Sequence, residues 1–92
     1  MHVLMIGHLT GKDYVELLPE EGMFIAKARD EVLVRDVFLK ADHTGPILIL
    51  ADTTADEARE RMASLPFIVH DIASFDYIEL DLPPTSSPVS RS

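Results

Sequence analysis

Apolar and polar positions change period several times along the chain, and each change marks an element. Residues 2–9, "HVLMIGHL", are apolar apart from one glycine and two histidines, and predict an opening strand. The polar loop "TGKD" follows. Asp13 and Glu16 have helix-capping spacing, but Pro19 fits only a first turn, so the expected helix runs from about Pro19 to about Asp30. Phe24, Ile25 and Ala28, flanked by Met23, form its apolar stripe. Residues 32–41, "VLVRDVFLKA", are β-branched and aromatic and predict a second strand. "DHTG" is a turn signal and "PILILA" a third strand, so the two strands form a hairpin.

The segment "DTTADEARERMASLPF", 52–67, contains the start, body and stop of a short amphipathic helix. Thr54 and Glu57 have the spacing of a capping box, Glu57 and Arg61 are one turn apart, and Pro66 is the stop. Ala55, Ala58, Met62 and Leu65 fall on one face. Residues 67–82 predict a long fourth strand with a bend near Ala73–Ser74. One domain, 1–82, is therefore expected, followed by a Pro/Ser-rich tail, 83–92, expected to be disordered.

The order βαββαβ is that of an α+β, ferredoxin-like domain: a four-stranded antiparallel sheet with two helices on one face. If the other face met water, its strands would alternate apolar and polar. "ILIL" does not alternate. The second face is therefore expected to be covered, and the simplest cover is a second copy of the chain. The alternative is an unusually apolar sheet in a monomer.

Composition narrows the chemistry. Without cysteine, disulfides, thiolate metal sites and a cysteine nucleophile are excluded, and a cytoplasmic location is expected. Sixteen acidic against eight basic side chains argue against a nucleic-acid partner. Apolar runs of about five residues are far too short to span a bilayer, and the first residues do not resemble a signal peptide. Phosphate-binding glycine loops and a G-x-S-x-G elbow are absent.

Among the polar residues on or beside strands, the candidates are His8, Arg35, Asp36, His43, His70, Asp71, Ser74 and Asp76. A histidine beside a carboxylate is the simplest general base. His8 with Asp36 is the preferred pair, and His43, in the hairpin turn, is the alternative base. Arg35 is a candidate to hold a substrate carboxylate or stabilise an enolate; the competing reading is an inter-subunit salt bridge. Tyr14, His70 and Ser74 are candidate substrate contacts, although Tyr14 also reads as a half-buried aromatic. Two histidines and a carboxylate could hold a metal, but no ligand spacing supports it, so neither metal nor cofactor is expected.

From "DHTG" through "PILIL", "TTADEA" and "RERMAS" to Leu65–Pro66, the chain resembles the muconolactone isomerase-like branch of the dimeric α/β-barrel superfamily, which includes the YCII-like proteins. The pattern runs from about Leu39 to Phe67; the first 38 residues match less well. Of the candidate residues only His43 is carried by the resemblance. It implies a homodimer or higher homo-oligomer performing cofactor-independent isomerisation or cyclisation of a small carbonyl or lactone compound. A non-catalytic small-molecule-binding or assembly module is the alternative, and a cofactor-free monooxygenase acting on an aromatic polyketide is a further one.

Overall fold

A computed structural model describes residues 1–81. The tail expected at 83–92 lies outside the described residues. The elements are β1 (His2–Leu9), a 3-10 turn (Val15–Leu17), α1 (Leu18–Asp30), β2 (Val34–Leu39), β3 (Pro46–Leu50), α2 (Ala55–Met62), α3 (Pro66–Val69) and β4 (Ala73–Leu80). The strands form one sheet in the order β2-β3-β1-β4, every neighbouring pair antiparallel. The protein is thus α+β, with a four-stranded antiparallel sheet and two main helices, compatible with a ferredoxin-like fold.

Strand pleating divides the side chains between two faces. Val3 and Met5 of β1, Leu48 and Leu50 of β3, and Val34 of β2 face the helices and are buried with Ala28, Ala58, Met62 and Leu65. Phe24 and Ile25 pack against this core as the stripe requires, but Met23 is 74 % exposed. Gly7 and Gly45 let the β2–β3 hairpin press against β1. A Cβ on Gly7 would lie 2.8 Å from the Pro46 carbonyl oxygen, and one on Gly45 would collide with the Gly7 carbonyl.

The capping box of α2 is formed as its spacing predicts. The Glu57 N–H donates to Thr54 Oγ1 at 3.2 Å, and the Thr54 N–H donates to Glu57 Oε1 at 3.1 Å. Glu79 of β4 adds a second cap, accepting from the Ala55 N–H at 2.8 Å. Thr54→Ala is expected to cost about 1 kcal/mol, measurable as a lowered urea midpoint with unchanged slope.

The fourth strand is shorter than the pattern implied. Residues Pro66–Val69 form the single turn α3, and β4 begins only at Ala73. The cause is tertiary. Phe67 is buried in a small second core with Ile72, Ala73, Leu9, Tyr14 and Leu17. Its N–H donates to Glu21 Oε1 at 3.0 Å, so a carboxyl from α1 caps α3. Pro66, expected as the stop of α2, instead opens α3, while α2 ends at Met62.

Glu21 is only 6 % exposed, and burial pushes its carboxyl up to about 7, against the opposing pull of the Phe67 N–H. The folded form therefore binds its proton more tightly than the unfolded chain. Glu21 contributes stability below about 4.5, and that contribution is lost as pH rises through about 7. Glu21→Gln keeps an oxygen for the Phe67 N–H without the charge. It is expected to match the parent near pH 4.5 and to exceed its stability at pH 8 by about 1–3 kcal/mol, read from denaturant curves at both pH values.

Candidate functional site on the open sheet face

The face opposite α1 and α2 carries the alternate residues of each strand. Register aligns them in rows: Asp36, Ile49, Leu4 and Ile78; then Phe38, Ile47, Ile6 and Asp76; then His8 beside Ser74. Leu4, Ile6, Ile47 and Ile49 are half-buried, while Phe38 and Ile78 are exposed. The result is an apolar floor with polar side chains at both ends.

At one end, His8 Nε2 lies 3.0 Å from Asp76 Oδ2, and Lys40 Nζ lies 3.5 Å from His8 Nδ1. A lysine ammonium can only donate and a carboxylate can only accept. The neutral ring therefore carries its proton on Nε2, facing Asp76, and presents the Nδ1 lone pair toward Lys40. Lys40 is held there by the hairpin: its N–H donates to the Gly45 carbonyl at 3.0 Å, and its carbonyl accepts from the His43 N–H at 2.8 Å. The His8 and Asp76 side chains are 48 % and 71 % exposed, so the pair meets solvent. Asp42 in the same turn accepts from the Thr44 hydroxyl and N–H, and the hydroxyl bond foremost holds its carboxyl below the usual range.

The expected His8–Asp36 pair does not form. Asp36 does lie on the open face, but in the row of Leu4 and two strands across, whereas His8 stands four residues further along β1, a displacement of roughly 13 Å along the strand alone at about 3.3 Å per residue. The carboxylate beside His8 is Asp76. The topology carries the signal for it, because the last strand of this order lies against the first. Lys40 was also missed; alternation from Phe38 puts it on the same face.

Arg35 sits at the opposite end from His8. It falls where the β2–β3 register slips between Val34 and Asp36, so simple strand alternation is broken there. Its Nη1 lies 3.4 Å from His2 Nε2, and its Nε lies 3.7 Å from Asp36 Oδ2. His2 Nδ1 in turn accepts from the Asp52 N–H at 3.2 Å. Arg35 is thus not beside His8.

The other candidates divide. Ser74 is the cross-strand partner of His8 on the open face. His43 is exposed at the tip of the hairpin, with φ +60°. His70 caps the C-terminus of α3 and Asp71 follows it in a turn, so neither lies on β4. His70 borders a shallow groove with Lys12, Asp13, Glu16, Leu17 and Ile72. Tyr14 packs its ring against Phe67 at 5.5 Å between centroids and belongs to the second core, as its reading as a half-buried aromatic implies.

Among the described residues, no group of three or more His, Asp or Glu side chains is placed to hold a metal ion, and no helix is long and apolar enough to cross a membrane. No family model and no curated protein matches this chain.

Proposed function

We propose that the open sheet face is the site of a cofactor-independent isomerase or cyclase acting by proton transfer on a small carbonyl or lactone compound. The observation that supports this reading is His8 held between Asp76 and Lys40 at the edge of an apolar floor. A substrate ring rests on Leu4, Ile6, Ile47 and Phe38, with the carbon next to its carbonyl at His8. The substrate displaces the long Lys40 contact, and Nδ1 takes the proton as the C–H bond breaks. Asp76 stabilises the resulting imidazolium through Nε2–H, and the freed Lys40 ammonium lies near the enolate oxygen. Return of the proton to another carbon completes the isomerisation.

A second copy stacked on this face would exclude water from the base, as the resemblance to the dimeric α/β-barrel proteins implies. The reaction class is tested by incubating the protein with a panel of unsaturated lactones in D2O and following deuterium at the acidic carbon. Exchange faster than in buffer, and abolished in His8→Ala, supports the reading. Equal exchange with parent and variant overturns it.

A further inference from the structure

Among the described residues the sheet has two edge strands with no further strand paired to them, β2 and β4. They differ in what they present. Along β2, Val37, Phe38 and Leu39 are 37 %, 56 % and 58 % exposed, three consecutive apolar residues on an edge strand. An edge of this kind is a template for further strand pairing.

Its hydrogen-bonding pattern is fixed. The Lys40 N–H is directed to Gly45 of the neighbouring strand end. In an antiparallel ladder alternate residues direct their backbone groups to the same side. Phe38 therefore directs its backbone groups to β3, and Val37 and Leu39 direct theirs outward.

We infer that β2 is a homotypic pairing edge, through which two copies of this chain join antiparallel about a two-fold axis at Phe38 to make one continuous sheet. The self-complementarity of the sequence selects this register. With Phe38 opposite the partner's Phe38, Val37 and Leu39 exchange N–H···O=C bonds with the partner's Leu39 and the partner's Val37. On the open face Asp36 then stands opposite the partner's Lys40, and Lys40 opposite the partner's Asp36, flanking the aromatic pair. From Asp36 to Lys40 every cross-strand pair is apolar with apolar or acid with base, the combinations that stabilise a sheet. Moving the axis to Val37 puts Lys40 opposite the partner's Val34 and Asp36 opposite the partner's Phe38, and the charge pairing is lost. The other edge is unsuited, since β4 carries Asp76 and Glu79 and no cation. In a chain of net charge −8, pairing there would gather carboxylates.

This inference does not rest on the proposed chemistry at His8 or on a second copy stacked on the open face, but Lys40 and Phe38 serve both, so association is read apart from proton exchange. The full chain is measured by sedimentation velocity, with Asp36→Lys, Lys40→Asp and the double reversal compared. Each single reversal sets like charges opposite one another at both symmetry-related pairs, and is expected to weaken association about tenfold. The double reversal restores opposite charges and should return the parent value.

Register is read directly by cross-linking, because the sequence has no cysteine. Phe38→Cys places two sulfurs across a non-hydrogen-bonded pair, within disulfide reach, and should form an oxidised dimer. Val37→Cys on the other face should not. A double reversal that stays as weak as the single ones, or cross-linking of Val37→Cys as readily as Phe38→Cys, overturns the pairing. So does a parent chain that stays monomeric at high concentration.

Discussion

His8→Ala is expected to slow proton exchange on an accepted substrate by about 10²–10⁴-fold, the range a positioned general base contributes. The loss should fall on kcat, because the floor formed by Leu4, Ile6 and Ile47 is left in place. Asp76→Asn should lower kcat less severely, since Nε2–H keeps an oxygen acceptor but the imidazolium loses its counter-charge. The two side chains are 48 % and 71 % exposed, so neither variant should move the denaturation midpoint appreciably. That separation is the informative result. A fall in rate with unchanged stability assigns the pair to chemistry, whereas unchanged rates in both variants leave it a surface ion pair.

Leu48→Ala is expected to destabilise the fold by about 2–5 kcal/mol, because a fully buried side chain leaves a cavity that its neighbours fill only in part. Leu48 is 0 % exposed between Met5 and Val37, on the side that α1 and α2 cover. Ile49, the next residue, points to the open face and is half-buried. Ile49→Ala should therefore cost about 1 kcal/mol in dilute solution. If a second copy stacks on that face, the Ile49→Ala cost rises with protein concentration while the Leu48→Ala cost does not. Urea titrations of both variants at two concentrations read the difference. Equal and concentration-independent costs would contradict the two-faced description of β3.

Much of the architecture was legible from local pattern. The opening strand, the Leu18–Asp30 helix, the hairpin and the capped helix at Ala55 all occupy the places that periodicity and capping chemistry indicated. These features depend on neighbours within a few residues, so the chain states them directly. Residues 67–72 went wrong for the opposite reason. "FIV" has strand-like composition, but Glu21, 46 residues earlier, supplies an acceptor for the Phe67 N–H, and Tyr14 supplies an aromatic wall. Long-range partners outweighed a local preference.

The candidate site shows the same division. That His8 and several carboxylates lie on strands, and that "ILIL" gives both faces of β3 apolar side chains, follows from the sequence through alternation and composition. Which carboxylate meets His8 does not, because a strand's neighbour and register are settled by the packing of the whole sheet. A shift of one residue would carry Asp76 to the other face. The sequence by itself determined the elements, their order and the supply of acid–base groups. The tertiary structure alone chose Asp76 over Asp36, brought Lys40 to His8 through the hairpin pressed against Gly7, and sent Arg35 to the far end of the sheet, because these are contacts between residues that only the packed sheet brings together.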